Sequence, residues 1–253
     1  MKKPNHIPLN YDSFLLIKFF KESQWRDEFI DGKFYMNTVG IIQQYFENYD
    51  GKQYDIYDGT QTFLRTTGDS HLSFLPDEKG EYWIVQKPGM PTDNQFVAEA
   101  ALGRNMESEK KLFCMYTLWG DSIKKEFRKI DSSIIKDFGK YAAVLINTPL
   151  FIKRVQEKAN LIRSQMNSEP LYDFVDYFHK ENLPAITPLG LYRKIQADSV
   201  HQNEFRICFD MKDVTGAYKD FKIQNSDICV AFETEKLINM SKVDITGLRF
   251  GRL

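Results

Sequence analysis

The chain is poor in the residues that staple or metallate small folds. It has three cysteines and four histidines among 253 residues. Cys114, Cys208 and Cys229 are odd in number, far apart and without a Cys-x-x-Cys pair, so neither a disulfide framework nor a thiolate metal site is expected. Each sits in an apolar run, where cysteine packs as a small hydrophobe, and reduced thiols in a cytoplasmic protein are the expectation. The histidines lack zinc-ligand spacing. No run of about 20 apolar residues is present to cross a membrane. Lys18 interrupts the apolar stretch near the basic N-terminus, so no secretory signal is expected. A net charge of −1 gives no electrostatic footprint for nucleic acid. Gly-x-Ser-x-Gly, Walker, Rossmann and His-Glu-x-x-His patterns are all missing, which argues against several common enzyme classes in their usual form.

What the chain does have is a core's worth of apolar and ring-bearing residues: 42% hydrophobic, with twenty Phe and thirteen Tyr. A chain of this length buries roughly 70–75% of its unfolded surface and needs no staple to fold. Apolar runs predict strands at Phe14 to Phe20, Lys33 to Met36, Lys111 to Leu118 and Tyr141 to Ile146. Further strands are expected at Gln61 to Arg65, His71 to Leu75 and Glu81 to Gln86, the last two flanking hairpin chemistry in Pro-Asp-Glu-Lys-Gly. A short helix capped by Ser23 and running through Ile30 is expected, ended by Asp31-Gly32, and another capped by Asn37. Gln95 to Leu102 reads as a helical turn or two. Asp121 or Ser122 can cap a charged helix ending near Phe138. Thr148 as N-cap, with Pro149 at the first helical position, opens the best-marked helix, with Phe151, Val155, Ala159, Ile162 and Met166 on one stripe. Tyr172 to Phe178 has strand composition, and His179 to Gly190 reads as loop. Short strands and a helical turn near Glu233 to Asn239 end the chain. These elements predict a single α+β domain, with a mixed, mainly antiparallel sheet, packed helices and a possible insertion around residues 61–110.

The stretch His201-Gln202-Asn203-Glu204-Phe205-Arg206-Ile207-Cys208-Phe209 alternates polar and apolar residues and places Glu204 and Arg206 on one face. Glu204 is therefore either a carboxylate poised for chemistry or a rim charge paired with Arg206. Asp55 and Asp58, in a polar loop with three tyrosines, either converge on a ligand or make turns. Lys18 either reaches the rim of the sheet over a buried stem or faces a pocket. His71 reads as a strand histidine, and His201 stands at the mouth of the Glu204 strand.

Four short motifs carry a family resemblance: Asp31-Gly32-Lys33-Phe34-Tyr35-Met36, Asp55-Ile56-Tyr57-Asp58-Gly59, Phe113-Cys114-Met115-Tyr116-Thr117 and Gln202-Asn203-Glu204-Phe205-Arg206. In their order, the chain resembles a family of bacterial and phage proteins built on a domain of unknown function. Asp58 stands where that pattern has Glu, and the loop lacks the pattern's Asn-Asp-Pro. Gln202-Asn203-Glu204 also resembles the Gln-x-Glu of ADP-ribosyltransferases. That second resemblance implies NAD as co-substrate and Glu204 as the carboxylate that stabilises oxocarbenium character at the ribose. It further implies that Gln202 orients the acceptor and that Tyr116 or Thr117 is the central-strand residue. Lys18, Arg206, His201, Asp55 and Asp58 are the candidate NAD contacts. The first resemblance implies a setting of phage–bacterium conflict, bacterial immunity or anti-defence. There the alternative to an enzyme is a protein that inhibits or regulates a host defence complex by binding a host or phage protein. A third possibility is a scaffold that binds a nucleotide without turning it over.

Overall fold

Ser-Phe-Leu-Leu-Ile-Lys-Phe-Phe folds as β1 (Ser13–Phe20), the strand on which the computed structural model is built. Four consecutive residues, Phe14 to Ile17, are almost wholly buried because the strand is paired on both edges and packed on both faces. The structure describes residues 3–42, 62–66, 70–76, 82–88, 98–102, 109–121, 123, 126–179, 182, 186–188, 190–194, 197–212, 214–239 and 251–252. After β1 come α1 (Ser23–Ile30), β2 (Lys33–Thr38), β3 (Thr62–Thr66), β4 (Ser70–Pro76), β5 (Tyr82–Pro88), β6 (Ala98–Leu102), β7 (Lys111–Asp121) and β8 (Glu126–Phe127). The second half adds α2 (Ser133–Phe138), β9 (Tyr141–Leu145), α3 (Thr148–Leu161), β10 (Leu171–Phe174), β11 (Asp176–Tyr177), β12 (Ile186–Pro188) and β13 (Arg193–Lys194). It ends with β14 (Glu204–Phe209), β15 (Tyr218–Lys222), β16 (Cys229–Glu233), α4 (Thr234–Asn239) and β17 (Gly251–Arg252).

The main sheet runs β10-β14-β7-β1-β9-β16, and each of these neighbours is antiparallel. This is the expected α+β fold with a mainly antiparallel sheet. One face of the sheet carries Phe14, Leu16, Phe113, Met115, Trp119, Phe205 and Ile207. Against it packs α3, whose stripe of Phe151, Val155 and Ala159 is buried, with Ile162 and Met166 continuing it. Asn147, not the expected Thr148, caps that helix by accepting the Leu150 N–H, and Pro149 occupies the first turn, where a missing N–H costs nothing. The opposite face carries Leu15, Ile17, Tyr116 and Leu118 under Ile134 of α2 and Leu237 of α4. Gly32 has φ of +89°, and a Cβ there would lie 1.7 Å from the Ile223 carbonyl oxygen. Only glycine lets the α1–β2 turn meet the end of β15 this closely.

Several local expectations are corrected. β2 continues through Thr38, and it is the Thr38 hydroxyl, not Asn37, that accepts the Ile41 N–H. The helix expected from Asp121 starts at Ser133. Asp121 extends β7 and spends one carboxylate oxygen on the Ile123 N–H in a turn, and β8 follows. Ala98–Leu102 has a helix former's composition yet is a strand, because it pairs along its length with β3. Part of the expected loop before Gly190 is β12, which pairs with the other edge of β3. β3, β6 and β12 thus make one small sheet, and the β4–β5 hairpin a second. Among the described residues no helix is long and apolar enough to cross a membrane.

Candidate functional site

All six residues of β14 are buried, so its polar face is not a solvated rim. Phe205, Ile207 and Phe209 enter the α3-side core. Glu204, Arg206 and Cys208 point the other way, and the register sets Glu204 opposite Tyr116 and Arg206 opposite Cys114 on β7. This second face is covered by residues 191–194, because β13 lies parallel to β11 and carries Lys194 in over the sheet. The Lys194 ammonium pairs with Glu204 Oε1. Arg206 donates to Oε2 from Nε at 2.9 Å and from Nη2 at 2.8 Å, and its Nη1 donates to the Leu191 carbonyl at 2.7 Å. Lys194 also reaches Gln202 Oε1 at 3.4 Å. The side chains of Lys194, Glu204 and Arg206 are only 4%, 10% and 2% exposed. Charges this deep are tolerated because each is paired and hydrogen-bonded. The Glu204–Arg206 pair expected from i, i+2 spacing is therefore present, but buried, with two guanidinium nitrogens on one carboxylate oxygen and Lys194 on the other.

Immediately before Glu204 stands Asn203, with φ of +40°, the one non-glycine residue at positive φ among those described. Asparagine tolerates this region better than most residues, and strain held at one point is a mark of a constrained site. The backbone twist aims the Asn203 amide sideways. Its Oδ1 lies 3.1 Å from His6 Nε2, and its Nδ2 donates to the Tyr116 hydroxyl at 3.3 Å. Its carbonyl accepts the Thr117 N–H at 2.8 Å. With the amide in this orientation His6 carries its proton on Nε2. Burial pushes the His6 pKa below the usual imidazole value, the Asn203 bond opposing. Burial raises Tyr116 to about 12. The His6 ring meets Tyr177 edge-on at 5.2 Å, and Asn5 N–H donates to Asp176 at 2.9 Å, so the N-terminal segment straps over this cluster. The Tyr177 hydroxyl accepts the Glu204 N–H at 3.2 Å. His201 Nε2 lies 2.8 Å from Asp137 Oδ2, on α2.

Of the candidates named from the sequence, Glu204, Gln202, Arg206, Tyr116 and His201 come together around the start of β14. Thr117 does not. It sits between Tyr116 and Leu118 on the strand and so points to the other face, buried, with its hydroxyl unbonded. Lys18 is also on that other face, in step with Leu16. Its ammonium lies 4.8 Å over the Phe113 ring and donates to the Cys114 carbonyl at 2.6 Å. Burial lowers its pKa, with Cys114 and the Glu204 charge acting in the opposite sense. Lys18, half-buried, therefore points to the face of the sheet away from the Glu204 side chain. Asp55 and Asp58 lie outside the described residues.

His6, Asp137, Tyr177, Lys194 and Asn203 were not singled out from the sequence. Lys194, flanked by Arg193 and Ile195 in a segment entered by Leu191, offered a weak signal as a cation in a short apolar stretch. Among the described residues no group of three His, Cys, Asp or Glu side chains is placed to hold a metal ion. Chemically, the cluster offers an ionised carboxylate fixed by two cations, a neutral phenol and a histidine–carboxylate pair. Comparison of the chain with protein-family models, curated proteins and solved structures finds no match.

Proposed function

We propose that this chain is an ADP-ribosyltransferase-like protein of phage–bacterium conflict, acting on NAD at the start of β14. The observation that supports this reading best is the convergence of Glu204, Gln202, His201 and Tyr116, separated by up to 88 positions, around the strained Asn203. Cleavage of the nicotinamide–ribose bond sends the electron pair out with nicotinamide and leaves oxocarbenium character on the ribose. Glu204 stabilises that charge as a carboxylate rather than by taking a proton, since Lys194 and Arg206 already hold both its oxygens and keep it ionised. Pre-fixed geometry of this kind needs no reorganisation during reaction. The test is NAD binding and self-labelling by the wild type and Glu204→Gln. Because the variant leaves two buried cations facing a neutral amide, both proteins are assayed well below their melting temperatures. Labelling lost in a folded E204Q supports the reading, and equal labelling removes Glu204 from it.

A second reading has its own support. Leu9 and Ile123 are 91% and 90% exposed. Their segments are tied at Asp121, which accepts from the Asn10 amide and from the Ile123 N–H. Exposed apolar side chains on two joined segments suit a protein that acts by binding another protein, such as a component of a host defence complex. An E204Q protein as competent as the wild type, with function lost on Leu9→Ser or Ile123→Ser, selects this reading.

A further inference from the structure

One edge of β7 is shared by two partners. β14 pairs with it as far as Glu204 opposite Tyr116, and the Asn203 carbonyl then accepts the Thr117 N–H. β8 takes over further on: Phe127 and Glu126 pair with Gly120 and Asp121, and Arg128 N–H donates to the Trp119 carbonyl at 2.8 Å. Between Thr117 and Trp119 the edge is broken over about 7 Å, two strand residues. The N-terminal segment brings His6 to Asn203 at this break.

The two residues bonded on either side of the break, Arg128 and His6, each carry a buried side-chain nitrogen with no hydrogen-bond partner, Nη1 and Nδ1. The Arg128 charge is felt by both His6 and Tyr116, in keeping with a guanidinium held at the break. The neighbouring carboxylates are committed elsewhere. Asp121 bonds Asn10 and the Ile123 N–H, Asp131 the Ser133 N–H, Asp137 His201, and Asp176 the Asn5 N–H. A guanidinium cannot shed its charge, and a buried N–H without an acceptor is costly to keep. Arg128 Nη1 is such an orphan donor and calls for an acceptor; His6 Nδ1, a bare lone pair in the neutral ring, joins it as a donor only on protonation.

We propose that the β14–β8 break is an oxyanion site, with Arg128 as its anchor and His6 as a second donor, and that it takes a phosphate or pyrophosphate group. The existence of the site rests on the two unbonded nitrogens; the choice of a dinucleotide's pyrophosphate as the occupant rests on the NAD reading above. Arginine's planar fork matches phosphate oxygens in pairs. Neutral His6 uses its proton on Asn203, so Nδ1 becomes a donor only when the ring takes a second proton. An anion supports that charge against burial and against Arg128. The groups facing His6 are Asn203, the Tyr177 ring, Arg128 and Asp176. Binding therefore takes up a proton and tightens as pH falls from 8 to 6.

The experiment is calorimetric titration of the full chain with inorganic pyrophosphate and, separately, with NAD, for the wild type, Arg128→Gln and Arg128→Lys. The wild type binds pyrophosphate with proton uptake, R128Q binds at least tenfold more weakly, and R128K lies between. Absence of pyrophosphate binding by the wild type, or equal binding by a folded R128Q, overturns the site. If R128Q does not fold, R128K decides: weakened binding sustains the site and unchanged binding removes it. Arg128-dependent pyrophosphate binding without NAD cleavage keeps the site and discards the NAD reading. NAD cleavage with an unchanged KM in R128Q does the reverse.

Discussion

Lys194 and Glu204, ten residues apart and on different strands, meet as a buried ion pair over the main sheet at the start of β14. Arg206 closes the other side of the same carboxylate. The residue proposed to act on NAD is thus also the residue that neutralises two buried cations. Stability and activity are coupled at this position, and the two must be measured together.

Lys194→Met leaves Glu204 buried with one partner instead of two. Breaking a buried pair from one side costs about 3–5 kcal/mol. Urea unfolding of the variant checks this. A loss below about 1 kcal/mol would mean that the pair behaves like a solvated surface bridge.

At Asn203 the backbone and the side chain make separate demands. Asn203→Ala loses the bonds to His6 and Tyr116 and also keeps a Cβ at φ of +40°. Asn203→Gly loses the same bonds but accepts the conformation. The alanine variant is therefore less stable than the glycine variant by about 1–2 kcal/mol. Equal melting temperatures would show that the positive φ is not strained.

His6 gives the strap a pH dependence. Its folded pKa lies below the unfolded value of 6.5, chiefly through burial. The unfolded chain then binds more protons between the two values, so this contribution is intact above pH 6.5 and is lost as pH falls through the folded pKa. Without added anion, wild-type stability falls between pH 7 and pH 5 more steeply than that of His6→Gln. Parallel curves in denaturant titrations at the two pH values would contradict this.

The parts of this fold legible in the sequence are those that depend on local period. The α3 stripe from Phe151 to Ala159 and the buried run in β1 follow from spacing alone, and alternation placed Glu204 beside Arg206. Ala98–Leu102 is a strand against its composition because pairing with a distant strand outweighs the weak helix preference of five residues. The burial of β14 was hidden for a related reason. Its alternation suits a half-solvated strand, and only the docking of residues 191–194 replaces water with Leu191, Tyr192 and Lys194. His6 and Asn203 are 197 residues apart, and no periodicity can join them.

The most direct measurement is the rate of nicotinamide release from NAD by the purified chain, beside folded E204Q at the same temperature. The wild type releases nicotinamide, with or without transfer to protein, and E204Q loses at least a hundredfold of that rate. A wild type that neither binds nor cleaves NAD would contradict the NAD reading and leave the protein-binding reading in its place.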